Sequence, residues 1–182
     1  MRRGLQAKGQ NDVGLALGAG YAAKMDYEIS EIAVGGGTIG MGRMPGRGGH
    51  YARDWSTLVG WGPDVVLTLT ELHELDRCGA SQLGSELEDA GIGWVHLPVV
   101  DYGTPEDGDW LAIEAQLLDV LSKQRRIFVH CFGGCGRTGM AVLRLMVSLG
   151  AEPNAALKRL REVRPCAVET DAQFDWVVMK NA

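Results

Sequence analysis

The sequence predicts an α/β fold: a mostly parallel central sheet of about four to five strands, helices on both faces, and an N-terminal β-hairpin. Three observations predict it. Short runs rich in β-branched residues, DVVLTLT and RIFVH, alternate with longer stretches of helical period. Three glycines, Gly35 to Gly37, divide YEISEIAVGGGTIGMG into two short strands. The chain has 182 residues, 46% of them hydrophobic, which is enough to bury one core and short for two.

The elements follow in order. After the hairpin, MPGRGGH (Met44 to His50) is a turn-rich loop that carries Arg47. Tyr51, Trp55, Leu58 and Val59 recur at helical spacing and stop at a glycine. DVVLTLT suits a parallel strand buried on both faces. ELHELDRCGASQLGSELEDAG is helical with a break near Gly79, and GWVHLPVV is the next strand. Thr104 before Pro105 reads as a helix cap with proline in the first turn. Trp110, Ile113, Leu117, Leu118 and Leu121 then line one helical face. RIFVH returns to strand. From Thr138 to Leu149 the next helix is apolar almost all round, which predicts burial, and Gly150 ends it. EPNAALKRLREV and TDAQFDWVVMK close the chain as helices.

Residues 1–25 are expected to form an N-terminal extension, disordered or briefly helical, ahead of one domain over 26–182. Arg2 and Arg3 before a small apolar run resemble a secretion leader, but Asn11, Asp12 and the glycines dilute it, and Met25 is an alternative start. The net charge of −5 argues against a general nucleic-acid binder, though not against a local anion site. No apolar run is long enough to insert in a membrane. The four cysteines, Cys78, Cys131, Cys135 and Cys166, lack C-x-x-C pairing, which favours reduced thiols in the cytoplasm. His50, His73 and His96 fall on unlike elements without metal-ligand spacing, so neither metal nor cofactor is implied.

The chemistry concentrates in VHCFGGCGRTGM, Val129 to Met140. A strand, a glycine-rich turn and a helix start together make a cup of backbone amides that binds anions. Gly133, Gly134 and Gly136 let successive amides converge, and Arg137 adds a planar fork for two phosphate oxygens. The nucleotide-binding pattern G-x-x-x-x-G-K-[ST] does not fit, because the cation is arginine. Cys131 stands at the base of the cup, where amides and a guanidinium should draw off its proton.

His130 to Thr138 spells H-C-x5-R-[ST], and on that motif the chain resembles the cysteine-dependent protein tyrosine and dual-specificity phosphatases. PGRGG, WGPDVVLTLTE, LPVVDYGTPED and ETDAQ look like their counterparts in the kinase-associated phosphatase branch and its compact bacterial relatives. The resemblance implies that fold and hydrolysis of phosphotyrosine in proteins, with phosphoserine and phosphothreonine as further substrates. Cys131 would be the nucleophile and form a phosphocysteine that water hydrolyses. Arg137 and the amides of Phe132, Gly133, Gly134, Cys135, Gly136 and Arg137 would hold phosphate, sulfate or vanadate. Thr138 would hydrogen-bond the leaving sulfur, and His130 would fix the loop. Asp101 would be the general acid, with Asp107 and Asp109 as competitors, and Gln173 would help place water.

Duller readings stand beside these. Asp101 could be a surface turn residue and Arg47 a solvated one rather than a substrate contact. Cys135 could be a small filler, or it or Cys78 could pair with Cys131 under oxidation. A phosphate-binding module without turnover, or a sulfur-transfer enzyme, are the rival functions. The first would normally have lost the cysteine, arginine or acid, and the second needs neither Arg137 nor Asp101.

Overall fold

The computed structural model describes residues 27–179. The expectations for residues 1–25 lie outside them. Five strands and seven helices follow in chain order: β1 Ser30–Val34, β2 Gly37–Arg43, α1 Tyr51–Trp61, β3 Val65–Thr68, α2 Leu72–Arg77, α3 Leu83–Asp89, β4 Gly93–His96, α4 Asp107–Ser122, β5 Arg126–Cys131, α5 Gly136–Ser148, α6 Pro153–Val163 and α7 Asp171–Val178. The sheet order is β1-β2-β5-β3-β4. β1 and β2 pair antiparallel as the hairpin, and every other pair is parallel.

β5 lies in the middle of the sheet, and its alternation separates two cores. Ile127, Val129 and Cys131 face a core shared with Trp110 and Leu117 of α4 and with α5, α6 and α7. Phe128 faces the opposite core, built with Leu58 of α1, Leu75 of α2 and Leu83 and Leu87 of α3. The expected helices on both faces are therefore present. Period two carries the consequence that His130 and Cys131, adjacent in sequence, leave β5 toward opposite faces.

Three boundaries differ from expectation. α4 begins at Asp107, with extended Glu106 as its N-cap residue, rather than at Thr104 and Pro105. The first helical bond is the one from the Trp110 amide to the Glu106 carbonyl, so Thr104 and Pro105 stay outside the helix. α5 begins at Gly136, so Arg137 and Thr138 occupy its first turn. Of GWVHLPVV only Gly93–His96 is strand. Leu97 and Val99 still donate to Thr68 and Leu69, which carries the chain to Asp101. No helix of the described residues is long and apolar enough to cross a membrane.

Candidate active site

β5 ends at Cys131, and Phe132 to Cys135 turn the chain into α5. The turn needs glycine at 134, where φ is 71° and a β-carbon would overlap the Gly42 carbonyl of β2. The Gly134 amide donates to Cys131 Sγ at 3.2 Å. Among the described residues no acceptor takes the amides of Phe132, Gly133 or Cys135. The Gly136 amide donates to Glu169 Oε2 at 2.8 Å.

The loop is gripped from behind. Arg164 donates to the Gly134 carbonyl at 2.9 Å and to the Gly133 carbonyl at 3.2 Å. In a trans peptide the N–H opposes the C=O, so holding these two carbonyls outward turns the Gly134 and Cys135 amides inward. His130 is fully buried and its Nε2 lies 2.9 Å from Thr68 Oγ1, which also accepts from Trp94. Burial pushes its pKa down to about 3, so the ring stays neutral near pH 7.

A disulfide joins Cys135 to Cys166, while Cys78 and Cys131 are free. This corrects the expectation of four reduced thiols and the two pairings considered for Cys131. The partners lie 31 residues apart, a distance at which spacing gives no signal. They meet because the α6–α7 connection folds back on the loop. Arg161 holds it there through the Ala167 and Val168 carbonyls, which helps bring the two Cα atoms within 5.2 Å.

Arg137 is 1% exposed. Its Nη1 donates to Glu74 Oε2 at 2.7 Å and to the Val99 carbonyl at 2.8 Å, and its Nη2 to Glu74 Oε1 at 2.9 Å. Asp101 Oδ1 stands 3.0 Å from Nη2, and Nε is buried without a partner. Burial works against the Glu74 charge, but the Arg137 fork and the Glu71 amide outweigh it and hold the carboxyl below its usual range. The guanidinium is therefore fixed in orientation with one N–H in reserve. The Thr138 hydroxyl, in the first turn of α5, is likewise buried and unpartnered.

Asp101 lies on an exposed loop. Tyr102, at φ 60°, follows it and donates its amide to Asp101 Oδ1 at 3.2 Å. The first turn of α7 ties that loop down: Gln173 Nε2 donates to the Gly103 carbonyl at 3.3 Å and Thr170 Oγ1 to the Tyr102 carbonyl at 3.4 Å. Gln173 Oε1 accepts from the Glu169 amide.

The fold thus gathers Cys131, Arg137, Asp101, His130, Thr138 and Gln173 around one loop. Asp107 instead accepts a hydrogen bond from Trp176 Nε1, which occupies it in packing α4 on α7, and Asp109 is exposed in the same first turn. His96 bonds the Thr70 carbonyl and stacks on Trp94. Sequence reasoning missed Glu74, Arg164, Cys166 and Glu169. Glu169 stood in a quoted stretch, ETDAQ, and was passed over for Gln173. Glu74 carries no local signal, because only the packing of α2 turns it toward Arg137.

Residues 39–151 match the family model described as polymorphic toxin system, DSP-PTPase phosphatase. The chain belongs to this DSP-PTPase phosphatase family. The match includes Asp101 and the whole loop from His130 to Thr138, and it stops short of Cys166, Glu169 and Gln173. The mouse cyclin-dependent kinase inhibitor 3 is 31% identical over 130 residues, covering 70% of this chain and 62% of that protein. The human protein of that name is 28% identical over 131 residues, with the same coverage. The chain thus spans less than two thirds of these curated relatives. Among solved structures, kinase associated phosphatase with its catalytic-site cysteine replaced by serine superposes with a TM-score of 0.78 at 23% identity, over 87% of this chain and 96% of that one. Tk-PTP in the active form gives a TM-score of 0.66 at 29% identity, over 83% and 95%. The DSP-PTPase fold and the likeness to the kinase-associated branch agree with the motif.

Proposed function

We propose that residues 26–182 form one phosphatase domain that hydrolyses phosphotyrosine in proteins, and phosphoserine or phosphothreonine where they reach the cup, through a phosphocysteine. The observation that carries this reading is the Gly134 amide on Cys131 Sγ, within open amides and beside the fixed Arg137 fork. The transferring phosphoryl group spreads its charge over three equatorial oxygens, and catalysis there is mostly positioning and electrostatic stabilisation. The amides of Phe132, Gly133, Cys135 and Arg137, with Arg137 Nε–H, would hold those oxygens, and the dianion would compete with Glu169 for the Gly136 amide.

In the first step Cys131 Sγ attacks phosphorus, the bond to the leaving oxygen breaks, and Asp101 supplies that oxygen with a proton. In the second step water attacks phosphorus, its proton passes to the Asp101 carboxylate, and the S–P bond breaks. The Thr138 hydroxyl would donate to the departing sulfur. Gln173 acts here by fixing Gly103 and Glu169, and so the approach of water. His130, buried and neutral, would hold the loop and move no proton. The proposed setting is the cytoplasm, where the Cys135–Cys166 bond would form only under oxidation.

The test is turnover of para-nitrophenyl phosphate and of a phosphotyrosyl peptide. Cys131→Ser should abolish both while tungstate still binds. Turnover near wild type in that variant would mean another nucleophile. Binding without turnover by the wild-type protein would favour the phosphate-binding module.

A further inference from the structure

Arg47 and Arg77 come from separate parts of the chain and meet on one side chain of the loop. The Arg47 guanidinium carbon lies 4.8 Å from the Phe132 ring centre and that of Arg77 4.7 Å. Arg47 belongs to the turn after β2 and Arg77 ends α2. Three contacts hold them there. The Met44 amide donates to the Phe132 carbonyl at 3.3 Å, which clips the turn to the loop. The Gly46 amide donates to buried Asp54 Oδ2 at 3.1 Å. Gly46, at φ 85°, rests so closely on the Cys78 carbonyl that any β-carbon would overlap it, so the turn abuts the end of α2. Arg47 also lies against the loop itself, its Nη1 3.5 Å from where a Gly133 β-carbon would stand.

Both side chains are exposed, and among the described residues neither has a hydrogen-bond or ion-pair partner. The acids around them are committed elsewhere: Glu74 to Arg137, Glu86 to Tyr51, Asp54 to Gly46, and Asp76 to Ser81. Stacking on Phe132 contributes about 0.5–1 kcal/mol per cation and neutralises neither. In a chain of net charge −5, two like charges are thus kept against one ring, without an ion-pair partner among the described residues, beside the residue that follows the nucleophile.

We propose that Arg47 and Arg77 form a second anion subsite beside the cup, which selects phosphopeptides carrying a further phosphorylated or acidic side chain next to the scissile phosphate. This deepens the phosphatase reading and rests on it. A peptide fits better than a lipid. The overall negative charge repels an anionic bilayer, and the cations flank Phe132 rather than line the cup where a phosphorylated ring would need them. In an extended peptide, each residue advances about 3.3–3.6 Å, so a neighbour one or two places along reaches the rim.

The experiment uses three phosphotyrosyl peptides alike except for neutral, glutamate or second-phosphoresidue flanks. The wild-type protein should favour the doubly phosphorylated peptide over the neutral one by roughly tenfold in kcat/KM, mostly through KM, and less so at high salt. In the Arg47→Gln, Arg77→Gln double variant, which keeps the methylenes on Phe132, that ratio should fall toward one. As a ratio it does not depend on how much active protein survives the substitutions. Equal turnover of all three peptides by the wild-type protein would overturn the subsite and leave the phosphatase standing. A ratio unchanged in the double variant would overturn these residues as its cause. Faster turnover of phosphoinositide vesicles than of any peptide would overturn the peptide assignment. No turnover of any substrate would overturn both proposals.

Discussion

The loop from His130 to Arg137 and the loop from Val100 to Gly103 face each other across Arg137, and they are built in opposite ways. The first is held from every side: β2 against Gly134, Arg164 on two carbonyls, Thr68 on His130, and a disulfide from Cys135 to Cys166. The second is exposed, with Val100 at 66% and Tyr102 at 60%, and hangs on two contacts from α7 and the ion pair of Asp101 with Arg137. A group that stabilises developing charge is most effective when it need not reorganise. A group that delivers a proton to different leaving groups has to approach and withdraw. The difference in attachment matches that division of labour.

The largest expected effect breaks the rigid side. Cys166→Ser opens a loop of 31 residues' separation, and the chain-entropy argument puts the loss at about 3–4 kcal/mol. For a chain of this size that lowers Tm by roughly 7–15 °C, measured against the oxidised wild type by calorimetry. An unchanged Tm would mean that the bond adds nothing to a loop already fixed by Arg164. Next, Asp101→Ala cuts the exposed side. In kcat/KM, which reads the first step, it should cost phenyl phosphate about a hundredfold and esters with good leaving groups much less. Tm should barely move, because the ion pair with Arg137 is largely exposed on the Asp101 side. Equal losses on both kinds of ester would place the acid elsewhere.

The smallest effect is a pH dependence of the rigid side. His130 titrates at about 3 in the folded protein against 6.5 as its ordinary value, so the unfolded chain binds the proton first as pH falls. The stability it contributes is complete above about pH 6.5 and is lost progressively toward pH 3. Between pH 7 and 5 that amounts to about 2 kcal/mol. Denaturant titration at the two pH values should show it, and His130→Asn should flatten it. A variant as acid-sensitive as the wild type would assign the effect to other groups.

The two loops also differ in how far the sequence revealed them. The loop from His130 to Arg137 is one contiguous motif between a strand and a helix, so local rules found it. Asp101 was singled out by the family resemblance, at the end of an extended run ahead of that loop, and the fold sets it 3.0 Å from Arg137. Their supports were not, because each depends on tertiary placement. Glu74 reads as a solvated charge on a short helix, yet α2 turns it inward against Arg137. Arg164, Cys166 and Glu169 reach the cup only because the chain after α6 doubles back. The start of α4 lies two residues later than expected, since Thr104 and Pro105 carry the cap signal just ahead of the true cap at Glu106. Among the elements, the hairpin, the alternation of strand and helix and the buried α5 all followed from periodicity, which needs no knowledge of partners.

The central claim is that Cys131 takes the phosphoryl group within the cup. Acid quenching during turnover of a phosphotyrosyl peptide, followed by peptide mass spectrometry, tests it directly. The account predicts an added phosphoryl group on the peptide containing Cys131, accumulating in Asp101→Ala on an ester with a good leaving group, because the water step then lacks its base. Steady turnover with no adduct on Cys131, or an adduct on any other residue, would contradict it.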